Sequence, residues 1–298
     1  MGQLKVGEFE KLEAGIYLEG LGVDHKRNIV WFSDPLAGGI FARMPDGKVR
    51  DFNLKRRWTG GIMVNEDGAA LSSGPGGIMW NNPETGKSGW LIDKIDGKPI
   101  NGINEMVPDG TGGIYFGTND IEMIETGGTF RPTNLYRLTV DRKLILLAEG
   151  IGFTNGIALT PDRKHFYCSS TFECVWAFDV NPDLTLTNKR KINDRGDADG
   201  MAMDTEGNIW ITGFGSADIM RLRPDGTVLS PIKSPDGPIT QVRFGGADGR
   251  DYYVNTVPAG AGLDLKDGKP LTEKKSFLFR GRSEVPGVLI EPTRFKLD

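Results

Sequence analysis

Apolar positions along the chain fall in short alternating runs. "NIVWFS", "AALSS", "GGIYFG", "KHFYCSS", "NIWIT" and "RDYYVN" are rich in β-branched and aromatic residues and are bounded by Gly, Pro, Asn and Asp clusters. That pattern predicts strands joined by tight turns, and long helical periodicity is missing. The runs also repeat as a unit: a polar turn, a strand, a small or polar turn, a second strand, then Pro-Asp-Gly or a similar hairpin signal. The turn aspartates Asp24, Asp67, Asp109, Asp162, Asp204 and Asp248 mark successive units at spacings of 43, 42, 53, 42 and 44 residues.

A period near 43 residues is the length of a four-stranded propeller blade. One such sheet cannot bury both faces alone, so neighbours stack around an axis. The predicted fold is therefore all-β: a six-bladed β-propeller with four-stranded antiparallel blades, a single domain over residues 1–298, all of it used by the six blades. A β-sandwich would lack the fixed period, and a β-helix would have a shorter one. The long third interval holds an inserted loop, 119–133, expected to lie over one end of the axis.

Composition sharpens this picture. Glycine, at 42 of 298 residues, is about twice its usual share, as many tight turns require. The formal net charge of −4 comes from acidic and basic residues mixed along the chain, which argues against nucleic acid and membrane surfaces as partners. The first residues, "MGQLKVGEFEKLEAG", contain no apolar signal core, and no window approaches roughly 18 apolar residues. A cytoplasmic location is expected. Cys168 and Cys174 flank a turn and are expected to be reduced, since a lone pair is weak evidence for a bridge.

Candidate chemistry appears on counting back from each turn aspartate. Glu19, Asn104 and Asp199 stand five residues before Asp24, Asp109 and Asp204; Asn155 and Gln241 stand seven before Asp162 and Asp248. The second unit offers only Gly61 and Ile62. In a propeller these positions begin the innermost strands, so Glu19, Asn104, Asn155 and Asp199 converge on the axis as an oxygen-rich ring. Each residue alone could simply cap a turn, but four in phase argue for a site. Crowded carboxylates and amides call for a compensating cation or protons. Oxygen ligands suit Ca²⁺, Mg²⁺ or Mn²⁺, with Zn²⁺ and Fe²⁺ also open. The only histidines, His25 and His165, fall in turns out of phase with the ring.

At these residues the chain resembles the family of gluconolactonase, regucalcin (senescence marker protein) and luciferin-regenerating enzyme. The resemblance is carried by "EG" at Glu19, Asn104 to Gly112, "NGIALTPD" at Asn155 and "DGMAMDTEGNIWIT" at Asp199. It implies a six-bladed propeller that binds one divalent metal at the tunnel mouth and hydrolyses lactones. It further implies Glu19, Asn155 and Asp199 as metal ligands, Asp199 as proton acceptor and Asn104 as a substrate contact. Sugar-lactone members often carry an arginine two residues before the Asn104 position. Here Gly102 stands there, which points toward a less polar lactone or ester. The following Asn-Glu-Met-Val places Met106 near the site, and Glu122 of the inserted loop is a candidate to reach substrate. Trp58, Phe153, Phe172 and Phe214, with Met106, are placed to form an apolar wall, a placement that ordinary blade-to-blade packing explains equally well.

The expected activity is metal-dependent lactone hydrolysis on a small-molecule lactone. No nucleophilic serine is signalled: the chain lacks Gly-x-Ser-x-Gly, His-Glu-x-x-His and a Walker phosphate loop. The alternatives are a non-catalytic metal-binding propeller that serves as a ligand- or protein-binding module, or another carbonyl-directed enzyme on the same scaffold.

Overall fold

A computed structural model of the chain describes residues 4–52, 55–121, 123–126 and 131–297. Six four-stranded antiparallel sheets form the blades of a β-propeller. The innermost strands are Leu21–Asp24, Ile62–Val64, Ile103–Pro108, Phe153–Leu159, Ala198–Met203 and Ile239–Gly245. Each of the first five blades then runs outward through its next three strands in chain order.

Burial follows that radial order. The inner strand Ala198–Met203 is buried at every position, whereas the outer strand Val228–Lys233 of the same blade alternates between exposed and half-buried. The inner strands are sandwiched between blade faces and so read as apolar runs, while the outer ones meet water. Between the fifth and sixth blades, Trp210 meets Phe244 and Tyr252 edge-on, at ring-centroid distances of 4.8 and 5.3 Å.

The turn aspartates do what the repeat implies. Asp24, Asp67, Asp109, Asp162, Asp204 and Asp248 accept backbone N–H bonds from Arg27, Ala69, Thr111, Lys164, Asn208 and Arg250 at 2.7 to 3.1 Å. Each turn thus gains a local acceptor for an N–H that lies outside the strand ladders.

Two segments depart from six blades read in simple succession. The sixth sheet takes its outermost strand, Phe9–Gly15, from the start of the described chain, where it pairs with Ser276–Arg282. This pairing closes the ring with hydrogen bonds between sequence-distant segments and covers the outer edge of Ser276–Arg282. Residues 283–297 lie outside the blades and cross the tunnel end where the inner strands finish. There Asn65 bridges Thr293 in parallel, and Asp204 bridges Gly287. Cys168 and Cys174 are free thiols; their cross-strand partners are Trp176 and Ser170 rather than each other.

Candidate active site

At the opposite end, where the inner strands begin, lies a cavity of about 620 Å³. Glu19, Asn104, Asn155 and Asp199 all line it. The local cause is a repeated irregularity of the inner strands. The register with the second strand slips between Ile103 and Met106, between Thr154 and Ile157, and between Ala198 and Met201. Asn104, Asn155 and Asp199 each sit inside such a bulge, which re-aims a side chain that strict alternation would place elsewhere.

Glu19 is set differently, by the loop before the first inner strand. Asp34 accepts the Ile16 and Tyr17 N–H groups at 2.7 and 3.2 Å, and the Glu19 N–H donates to the Ser33 carbonyl at 3.1 Å. Small residues beside the ring let the inner strands close on the axis. A Cβ on Gly20 would stand 1.9 Å from the Gly60 carbonyl oxygen, and one on Gly156 would stand 2.3 Å from that of Asp199.

A closed set of inter-blade hydrogen bonds holds these starts in place. Ser33, Ser73, Asn119, Thr171, Thr212 and Asn255, at or just past the ends of the second strands, donate to the carbonyls of Gly60, Asn104, Thr154, Ala198, Thr240 and Glu19 at 2.6 to 3.1 Å. Every blade therefore grips the site-bearing backbone of the next.

Beneath the cavity floor lies a buried ion pair that the sequence reading missed. Arg243 Nη2 is 2.7 Å from Glu105 Oε2, with the side chains 3% and 1% exposed. Gln241 also donates to Glu105, the Met106 N–H donates to Glu105 Oε1 at 2.9 Å, and Arg243 Nη1 donates to the Met201 carbonyl at 2.8 Å. Gln241 thus serves this plug and does not line the cavity. The available signal was the one Glu of "INEMVP" and the one Arg of "ITQVRFG", the charged residues of two inner strands.

The electrostatics follow from burial and like charge. Burial and the Glu105 carboxylate push the Glu19 carboxyl up to about 8, against a hydrogen bond from Asn104 that favours its ionised form. Burial, then Glu19 and Glu105, raise Asp199 well above the usual range, although Asn155 hydrogen-bonds its carboxylate. Asp199 is 5% exposed, and its Oδ1 has no hydrogen-bond partner. Desolvation, then the Glu19 and Asp199 carboxylates, hold the Tyr17 phenol protonated.

Among the described residues no group of three or more His, Cys, Asp or Glu side chains is placed to hold a metal ion. The donor set differs in kind: two carboxylates plus amide oxygens, an all-oxygen set suited to hard cations. An orphaned, buried carboxylate oxygen beside a second carboxylate is a place where positive charge is missing.

Other expectations fare unevenly. Met106 is fully buried in the apolar cluster with Met63, Leu71 and Phe116 and is absent from the cavity wall; the bulge at Asn104 turns it toward the core. Glu122 lies outside the described residues. Trp58, Phe153, Phe172 and Phe214 do line the cavity, joined by Ile121, Met123 and Ile124 of the inserted loop. Neither histidine lines the cavity; His165 Nδ1 stands 3.1 Å from Asp179 on the blade exterior. No described helix is long and apolar enough to cross a membrane.

Comparison with known proteins places this geometry. A pentonolactonase of Haloferax volcanii is 26% identical over 247 residues, covering 78% of each chain. A 6-deoxy-6-sulfogluconolactonase of Pseudomonas putida is 26% identical over 269 residues, covering 88% of this chain and 89% of the other. Among solved structures, luciferin-regenerating enzyme superposes with a TM-score of 0.78 at 22% identity, over 96% of this chain and 99% of that one. Regucalcin of Agrobacterium tumefaciens, described as a calcium-binding protein, gives a TM-score of 0.79 at 19% identity, over 98% and 97%. At such identities the two structures speak to the fold alone. The profile of the SMP-30/gluconolactonase/LRE-like region matches residues 18–258, most of the chain and every residue of the ring, and the chain belongs to that family.

Proposed function

We propose that the chain is a lactone hydrolase that works with one divalent cation held by Glu19, Asn155 and Asp199. The observation that carries this reading is the unpartnered Asp199 Oδ1 on the floor of the cavity, beside a second carboxylate that is itself pushed up to about 8. Two of the relatives above are lactonases by name. A divalent cation at such a site supplies positive charge next to a carbonyl oxygen and makes water more acidic.

The chain's own residues supply the rest. Asp199 accepts a proton from the water that adds to the lactone carbonyl, and returns it to the ring oxygen as the C–O bond breaks, leaving a hydroxy acid. Asn155 orients the Asp199 carboxylate. Asn104 orients Glu19 with one amide N–H, and its second N–H donates to the carbonyl oxygen as negative charge develops there. The Tyr17 phenol, kept protonated, is a further donor at the wall.

The test is lactone hydrolysis before and after chelation, with Ca²⁺, Mn²⁺, Mg²⁺, Zn²⁺ and Fe²⁺ restored singly. Activity should vanish on chelation and return with at least one ion. Asp199→Asn should lower kcat by about 10²- to 10⁴-fold with an unchanged circular dichroism spectrum. Undiminished turnover by the chelated protein and by Asp199→Asn would defeat the reading, and tight cation binding without turnover would favour a non-catalytic propeller.

A further inference from the structure

We propose that the substrate carries a flat apolar, preferably aromatic, body that packs against Trp58, Phe153 and Phe172, and that the cavity is built against polyhydroxylated lactones. This rests on the lactonase reading and adds the substrate class.

The first observation is the shortage of polar groups above the floor. Thr59 and Thr171 line the cavity, yet their hydroxyls are spent on the Arg56 and Ala198 carbonyls at 2.8 and 2.6 Å. Among the described side chains of the lining, what remains beyond the four ring residues is the Tyr17 phenol, the Lys266 ammonium and the indole N–H of Trp58. That N–H belongs to a residue 8% exposed and has no acceptor. A sugar lactone enclosed here would leave several hydroxyls without partners, which is the costly way to bury them. A ring with one or two acceptors would satisfy the indole and meet aromatic edges elsewhere.

The second observation is backbone strain. Trp58 and Phe172 adopt left-handed conformations, with φ of 58° and 75°. Bulky residues rarely do so, and such strain clusters at ligand sites. Phe172 is also 56% exposed. It stands at the rim, edge-on to Phe153 at 6.2 Å and to Phe214 at 5.9 Å. Phe172 thus holds a half-exposed ring at the rim in a conformation suited to glycine, and it completes the aromatic wall.

The third observation concerns Gly102. A Cβ there would lie 3.0 Å from the Asn119 carbonyl oxygen and 3.1 Å from Ile121 Cβ. Any side chain at 102 would need Asn119 or Ile121 to give by a few tenths of an ångström, and Ile121 contributes apolar surface to the wall.

The experiment compares 3,4-dihydrocoumarin with D-glucono-1,5-lactone on the cation-loaded protein. It also compares binding of 3-(2-hydroxyphenyl)propanoate and gluconate by calorimetry. The aromatic lactone should have a kcat/KM at least about tenfold higher, consistent with one or two aromatic contacts. Phe172→Gly should raise its KM about three- to tenfold with the effect on KM rather than kcat, while the melting temperature holds or rises because the strain is relieved. Preference for the sugar lactone, or an unchanged KM in Phe172→Gly, would overturn the inference. If no lactone is opened but the aromatic acid binds and Phe172→Gly weakens it, the hydrolase reading fails and the apolar site stands. If gluconate binds in preference, the apolar site fails whatever the turnover.

Discussion

The Thr171 hydroxyl donates a 2.6 Å hydrogen bond to the carbonyl of Ala198, the residue before Asp199. One blade thereby fixes the backbone that carries Asp199 of the next blade. Thr171→Val keeps the side-chain shape and leaves that buried carbonyl without its donor, at a cost of about 1–2 kcal/mol. The melting temperature should fall by roughly 2–6 °C, and cation affinity should weaken several-fold by calorimetry. Thr171→Ser, which keeps the hydroxyl, should restore the affinity. Equal affinities in all three proteins would remove this bond from any role in the site.

The Glu105–Arg243 pair gives a second prediction. Arg243→Met strands a buried carboxylate, and removing one partner of a buried pair costs about 3–5 kcal/mol. Adding Glu105→Gln should recover most of that loss in denaturant unfolding, because no unpaired charge then remains. Glu105→Gln also removes a charge that helps to raise Glu19 and Asp199, so half-maximal cation binding should move to lower pH. Additive losses in the double variant would show that the two side chains are not coupled.

What the sequence revealed and what it hid divide along a physical line. Glu19, Asn104, Asn155 and Asp199 were legible because each stands five or seven residues before a turn whose aspartate caps it locally. Met106 was misplaced because a bulge adds one residue, and one residue reverses the face of everything that follows. The strand Phe9–Gly15 pairs with residues more than 260 positions away, and nothing local in "FEKLEAG" announces that partner. The donors Ser33, Ser73, Asn119, Thr171, Thr212 and Asn255 recur at the ends of second strands, yet their purpose appears only once the neighbouring blade is in place.

The raised carboxyl of Glu19 predicts a pH dependence of the cation-free protein. The folded state holds this proton up to about pH 8, whereas an unfolded glutamate releases it near 4.3. The resulting stability is full below the unfolded value and declines as pH rises toward 8, since the folded state then binds more protons than the unfolded one. Asp199, also raised, acts in the same direction. In chelator the protein should melt at a lower temperature at pH 8 than at pH 6, and added Ca²⁺ should raise the melting temperature more at pH 8, where fewer protons compete. A chelated protein with a flat profile across that window would contradict the burial of these two carboxyls together.

The last prediction concerns the far end of the tunnel. Asn65, 2% exposed, holds the segment after the blades with its whole amide: Oδ1 accepts from the Thr293 hydroxyl at 2.8 Å and the Phe295 N–H at 2.9 Å, and Nδ2 donates to the Phe295 carbonyl at 3.0 Å. Asn65→Ala loses all three at once, about 2–3 kcal/mol at roughly 1 kcal/mol each. That loss should free the segment by local opening before the blades unfold. Trypsin should then cut after Arg294 in Asn65→Ala much faster than in the wild-type protein, read as a small mass loss. The cavity opens at the other end, so kcat should be unchanged before cleavage. Equal cutting rates would mean that apolar packing of Phe295, and not the Asn65 amide, secures this closure.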